Sequence, residues 1–113
     1  MARTTPPMPL PVRRALRKLG ADIRDARKRR RIPLELLAQR ALTSHVTMIK
    51  VERGDPTVSI GVYASALFAL GLVEQLGMVA DRAHDEVGQD LEDERLPKRA
   101  RRRSTPRKTT PDE

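Results

Sequence analysis

Residues 33–54, PLELLAQRALTSHVTMIKVERG, give the strongest indication of the architecture of this chain of 113 residues. Leu37 and Ala41 recur at helical spacing within it. Thr43 and Ser44 then interrupt the pattern and offer hydroxyl groups that cap a new helix. The stretch therefore predicts two short helices joined by a sharp turn.

The second of these helices, predicted over residues 45–53, has a packed face and a presented face. Because residues three or four positions apart share a face of a helix, Met48 and Val51 fall on the packed side. The presented side is polar and cationic, and it carries His45, Val46, Ile49, Lys50 and Arg53.

Further helices are predicted on both sides of this pair. A basic segment that begins at Val12 carries an apolar stripe at helical spacing, formed by Leu16, Leu19, Ile23 and Ala26. Gly54 stops the helix that follows the turn, and Ser59 caps another that Gly71 ends. The inward stripe of that last helix consists of Ile60, Tyr63, Ala64, Leu67 and Leu70. The sequence therefore predicts a compact all-α domain of four to five helices with flexible termini.

Charge is unevenly distributed along the chain, whose formal net charge is +8. Residues 13–31 contain ten basic and two acidic residues, and residues 97–113 contain seven basic and two acidic residues. Residues 72–96 have a formal charge of −6. Basic segments on either side of an acidic one indicate a polyanionic partner that the acidic block avoids. A solvated basic face is the alternative for the run of cations that ends the first segment.

Composition divides the chain into four parts. Four prolines predict a flexible arm over residues 1–11, and the helical domain, with a dimerisation helix, follows over residues 12–80. Residues 81–96 are predicted to be an acidic interaction segment in which Gly88 separates two short helices. Residues 97–113 predict a disordered basic tail that adds affinity for phosphates, or alternatively only solubility.

Several classes of protein and of site are disfavoured. The chain lacks cysteine, which excludes disulfides and thiolate metal sites. No apolar run is long enough for a membrane span or a secretory signal, so we expect a cytoplasmic protein. His84 lies beside Asp85 and Glu86, but no second histidine is near enough to complete a metal site. Because a glycine-rich phosphate loop and convincing catalytic carboxylates are also missing, we expect no enzymatic activity, no cofactor and no metal.

The spacing of LGADIRDAR, LLAQRALTSHVTMIKVERG and ASALFALG resembles the helix-turn-helix domain of lambdoid phage repressors and of the wider Xre group. The resemblance covers residues 13–72, and its most diagnostic piece is the run over residues 47–54 that ends in Glu-Arg-Gly. It implies a lambda-repressor-like fold, double-stranded DNA as the partner, and association with the nucleoid when DNA is bound.

Matched position by position, the resemblance assigns the helix after the turn to DNA. Base edges in the major groove would be contacted by His45, Val46, Ile49 and Lys50. Phosphates would be contacted by Thr43, Ser44, Thr47 and Arg53. The chemistry agrees, because apolar side chains suit thymine methyl groups and a lysine suits guanine. Ordinary core packing is the alternative for Val46 and Ile49.

The resemblance also implies a structural ion pair between Arg27 and Glu52 that would tie the DNA-contacting helix to the scaffold. Two positions depart from the family pattern. Leu42 stands where glycine is usual, so we expect the turn to be distorted or lengthened. Leu34 stands where a phosphate-clamping glutamine is common, so that contact would fall to a backbone amide.

Apolar residues beyond the needs of a small core predict a dimer or partner surface. They are Val62, Phe68, Leu72, Val73, Leu76 and Val79. A homodimer would use such a surface, and the two half-sites of an inverted-repeat operator require one. A fifth helix that folds back as part of the core is the alternative.

The whole arrangement, with GDPTVSIGVYASALFALGL followed by an acidic segment that closes in ERLPKR, is similar to HipB-type antitoxins encoded beside HipA-type kinase toxins. That similarity implies a homodimeric repressor of its own operon that also neutralises a HipA-like toxin, as the antitoxin of a type II toxin–antitoxin pair. A stand-alone Xre-type transcriptional repressor and a protein-binding inhibitor or adaptor stay open as alternatives.

Overall fold

The computed structural model describes residues 7–95. Most of the arm predicted over residues 1–11 and all of the tail predicted over residues 97–113 therefore lie outside the described residues.

The described chain is all-helical, which confirms the predicted fold class. Its α-helices are α1 (Leu10–Arg29), α2 (Leu34–Arg40), α3 (His45–Glu52), α4 (Ile60–Ala69), α5 (Val73–Leu76) and α6 (Glu86–Arg95), with a 3₁₀ turn over Arg82–His84. No strand occurs within residues 7–95. Contacts divide the chain into a first unit that ends at Leu76 and a second that begins at Gly77. None of the helices in the described range is long and apolar enough to cross a membrane.

Helix α1 begins two residues earlier than predicted. Pro9 caps it in an extended conformation, and Pro11 occupies the first turn, where the missing amide hydrogen has no intrahelical partner to lose. The last turn carries Arg27, Lys28 and Arg29, and cations at this end are favoured by the helix dipole.

The first unit packs four helices around one core. Ile23 and Ala26 of α1, Leu37 of α2, and Met48 and Val51 of α3 are buried together. Helix α4 adds Tyr63, Ala66 and Leu67, and Leu70 follows it into the same core. The packed faces predicted for the helix pair and for the first helix are thus present.

Two residues of α4 differ from the predicted inward stripe. Ile60 exposes 73% of its surface, because it is the first residue of the helix and lies at the rim of an apolar cleft. Ala66, which the stripe did not include, is fully buried. The prediction for Ile60 is wrong, since the helix extends past the core at its N-terminus.

The apolar surface predicted for a partner is divided between the two units. Val62, Leu72, Val73 and Leu76 are half-buried against the core of the first unit, which matches the alternative of a fifth helix folded back on the core. Phe68 exposes 69% of its surface. Val79 belongs to the second unit and exposes 73%.

Four helices of the first unit end in the same backbone motif. At the end of α2, the Leu42 amide donates to the Gln39 carbonyl (3.1 Å) and the Thr43 amide donates to the Ala38 carbonyl (2.9 Å). This is the Schellman arrangement, in which one residue is left-handed. Those residues are Arg31 (φ 56°), Leu42 (φ 58°), Gly54 (φ 73°) and Gly71 (φ 79°). The expected distortion of the turn at Leu42 is therefore wrong, because leucine adopts the conformation that glycine would.

Helix α1 meets the end of α3 through two glycines. A Cβ atom at Gly20 would lie 2.5 Å from the Gly54 nitrogen and 2.6 Å from the Val51 oxygen. A Cβ atom at Gly54 would lie 2.3 Å from the Leu16 oxygen. Backbone therefore packs directly on backbone here, and no other residue type fits at either position without displacing a helix.

In the second unit, Asp81 caps the 3₁₀ turn by accepting a hydrogen bond from the Ala83 amide (2.8 Å). Asp85 accepts one from the Gly88 amide (3.0 Å). Gly88 therefore lies in the first turn of α6, and the prediction that it separates two helices is wrong. Arg82 forms an exposed ion pair with Glu92 (2.6 Å).

Replacing Gly20 with alanine is expected to destabilise the protein by about 1–3 kcal/mol, because the new methyl group would overlap rigid backbone atoms. Gly61→Ala is the matched control: the nearest atom to its added Cβ is the Ser59 Oγ at 3.7 Å, and alanine is the better helix former. Urea titrations of both variants would check this. A Gly20→Ala midpoint equal to that of wild type would contradict the backbone contact.

Leu42→Gly is expected to stabilise the protein by up to about 1 kcal/mol, because a left-handed residue with a Cβ atom is strained. Its side chain is 93% exposed, so little packing is lost. The reverse change, Gly71→Ala, adds a Cβ atom that has no neighbour within 4 Å. It should therefore destabilise through backbone strain alone, and thermal melts of both variants would show opposite shifts.

Candidate nucleic-acid interface

Helix α3 presents one side and buries the other. Met48 and Val51 are completely buried. The residues proposed for base contacts lie on the opposite side: His45 and Lys50 are exposed, Val46 exposes 62% of its surface, and Ile49 is half-buried. Core packing thus does not account for Val46.

The N-terminus of α3 is capped by a hydroxyl group. Ser44 Oγ accepts a hydrogen bond from the Thr47 amide (3.0 Å) and donates one to Thr47 Oγ1 (2.9 Å). Thr43 is half-buried in the turn before the helix, and Arg53 is exposed at its C-terminal end. The four residues proposed for phosphates therefore lie at the two ends of α3. Thr43 and Ser44 precede the helix, Thr47 is in its first turn, and Arg53 follows its last residue.

Arg27 and Glu52, which the resemblance pairs, form a bidentate ion pair. Arg27 Nε donates to Glu52 Oε2 (2.6 Å) and Nη2 donates to Oε1 (3.1 Å). Nη1 donates to the Ile32 carbonyl (3.0 Å). Only 13% and 8% of the two side chains are exposed. The pair therefore ties α3 to α1 and to the segment before α2 in a region with little water.

The loop after α3 is held by Asp55. Its Oδ1 accepts hydrogen bonds from Thr57 Oγ1 (2.7 Å) and from the Thr57 amide (2.8 Å). These bonds, together with the charges of Lys50 and Arg53, hold the pKa of Asp55 below its ordinary value. The Tyr63 hydroxyl donates to the Asp55 carbonyl (2.7 Å), and burial raises the pKa of this tyrosine. The loop is thereby fixed to the core at the end of α3.

A row of arginines on α1 faces α3 and was not predicted from the sequence. Arg13, Arg17, Arg24 and Arg27 share with Gly20 a stripe at intervals of three and four residues. Gly20 contacts the end of α3, and a cleft lies on each side of that contact. Arg53, which follows α3, lines both clefts. The spacing of these residues in the sequence places them on one side of α1, but only the position of Gly20 in the structure shows that this side faces α3.

No metal site is apparent in the part of the chain that the structure describes. Residues 7–95 contain no group of three histidine or acidic side chains placed to hold an ion. His84 is exposed in the second unit.

The first unit is thus a small all-helical domain in which α3, held by a buried ion pair and a backbone contact, exposes one side. Comparisons with known proteins add nothing to this description. No protein-family model, no curated protein and no solved structure matches the chain.

Glu52→Ala is expected to destabilise the protein by about 3–5 kcal/mol, because it leaves the Arg27 guanidinium buried without its counter-charge. Asp22→Ala removes a carboxylate from the exposed Lys18–Asp22 pair (2.6 Å) and should cost less than about 1 kcal/mol. Thermal melts of the two variants would compare them. An unchanged melt for Glu52→Ala would show that the pair does not secure α3.

Proposed function

We propose that this chain is a sequence-specific regulator of transcription that binds double-stranded DNA. The observation that carries the proposal is the exposed outer side of α3, where His45, Val46 and Lys50 project from a helix whose inner side is completely buried. A short helix held in this way is able to enter a major groove without rearranging the domain.

The chemistry of the exposed residues supports two kinds of contact. Lys50 suits the O6 and N7 acceptors of guanine, and Val46 suits the methyl group of thymine. The hydroxyl groups of Ser44 and Thr47 and the guanidinium of Arg53 suit phosphates, which orient a protein on the duplex without reporting its sequence. Base discrimination would therefore come from the middle of α3.

The chain would act in the cytoplasm as a homodimer on an inverted repeat. Two copies of α3 would enter successive major grooves about 34 Å apart. Phe68, exposed on α4, is an apolar residue available to such an assembly. The change from monomer to dimer would be measured by analytical ultracentrifugation with and without operator DNA.

Within this class, we propose the role of a HipB-like antitoxin that represses its own operon and neutralises a HipA-like kinase toxin. The sequence resemblance supports this role, as does the acidic helix α6, since a segment with this charge is repelled by DNA and is better suited to a protein partner. Co-expression with a neighbouring kinase-like gene would test this role: the chain should restore the growth of cells that the kinase-like protein inhibits. Operator binding without rescue would favour a stand-alone repressor.

Lys50→Ala is expected to reduce discrimination between operator and random DNA by about 1–3 kcal/mol, because it removes a base contact. Arg53→Ala is expected to weaken both duplexes by the same factor, because it removes a phosphate contact. Selection of an operator from random duplexes, followed by titrations of each variant, would measure both effects.

Arg14→Ala is the control for the lost charge, since Arg14 is an exposed cation outside α3. It should preserve the ratio of operator to random affinity. If Lys50→Ala also preserved that ratio, Lys50 would not contact a base, and the assignment of the readout to this side of α3 would fail.

A further inference from the structure

A basic cleft lies beside α3, outside the residues proposed above to contact bases. It has a volume of about 310 Å³ and is lined by Arg13 and Arg17 of α1, by Arg53, and by the backbone at Gly54. Asp55 is the acidic residue on its wall. Three guanidinium groups therefore surround an opening that is close to the proposed DNA surface.

The cleft is built on a close backbone contact between α1 and Gly54. The Leu16 carbonyl lies so close to Gly54 that a Cβ atom there would be 2.3 Å from it. Arg13 and Arg17 are one turn apart on the same side of α1, and they flank this contact. Their backbone positions relative to the end of α3 are thus fixed, although the side chains themselves project into solvent.

Arg13 and Arg17, the two α1 arginines that line the cleft, have no ion-pair partner within residues 7–95. In this they differ from Lys18, Arg27 and Arg82. Asp55 offsets only part of the positive charge, because one carboxylate faces the three arginines of the lining. The cleft therefore keeps an excess of positive charge.

We propose that this cleft binds one backbone phosphate of the DNA duplex, beyond the segment of the groove that α3 contacts. This inference rests on the proposed function. Arginine forms two parallel hydrogen bonds to phosphate oxygens, and several guanidinium groups around one opening favour such an anion over a single carboxylate. Arg53 would then belong to two contacts, with the phosphate beside α3 and with the one in the cleft.

The contact would fix the angle of the domain on the duplex. In the proposed complex, residues at the end of α3 contact DNA at one edge of the groove. Arg17 lies beside the end of α3, and Arg13 lies one helical turn farther away along α1. A phosphate held between α1 and α3 adds a second point of attachment, and two points prevent rotation about the axis of α3. The arrangement contributes affinity that does not depend on base sequence.

The test compares two charge-matched double variants of the full chain. Arg13→Gln with Arg17→Gln empties the cleft of its α1 cations. Arg14→Gln with Lys18→Gln removes the same charge at the same spacing from residues of α1 that do not line the cleft. Affinity for an operator duplex is measured for wild type and both variants over a range of salt concentrations, and their melting temperatures are compared.

The cleft variant is expected to bind operator and random duplexes more weakly by the same factor, on the order of tenfold. The slope of log affinity against log salt should fall by about 0.9, the value for one phosphate. The control variant should retain the wild-type slope, and both should melt as wild type does. Equal losses in the two variants would overturn the cleft as a site and leave only general electrostatic attraction.

A second measurement locates the phosphate. Neutral methylphosphonates are placed one at a time along each strand of the operator. Wild-type protein should lose affinity at one position outside the segment contacted by α3, and the cleft variant should be insensitive there. If the variant showed the same pattern as wild type, the proposal would be wrong while the proposed function stood. If the wild-type protein bound no duplex, the phosphate site and the proposed function would both be wrong.

Discussion

The contact between Gly20 and the end of α3 is the constraint on which the other features depend. Because backbone meets backbone there, the separation of α1 and α3 is set by the peptide groups and leaves no room for a side chain. The same contact places the Arg27–Glu52 pair on one side and the basic cleft on the other. The exposed side of α3 is therefore oriented by a rigid support, as recognition of a duplex would require.

Hydrophobic periodicity was sufficient to predict the all-α fold and the packed face of α1. In α3, Met48 and Val51 were assigned to the core because they share a face. Val46 and Ile49 on the other side are also apolar, so periodicity left core packing open for them. The start of α1 was missed because proline in the first turn reads as an extended arm, although it is compatible with a helix there. Gly88 was misinterpreted for a similar reason: glycine in a helix is penalised on average, but the Asp85 cap holds its amide.

Less of the site could be predicted from sequence. The spacing of α3 indicates which side chains share a face, since that depends on local periodicity. Whether Arg13 and Arg17 are near α3 depends on a tertiary contact between residues far apart in the chain, and no local pattern encodes it. The apolar residues of α5 show the same limitation, because Val73 and Leu76 could cover the core or a partner, and only the folded domain shows them against its own core.

The environment of Tyr63 has a practical consequence. The chain contains one tyrosine, one phenylalanine and no tryptophan, so emission excited in the tyrosine absorption band comes from a single ring. That ring is buried in the core, and its hydroxyl group is bonded to the carbonyl of Asp55 in the loop that follows α3. The fluorescence of Tyr63 therefore reports on the contact between the core and the loop after α3. Changes at this contact can be followed without attaching a dye.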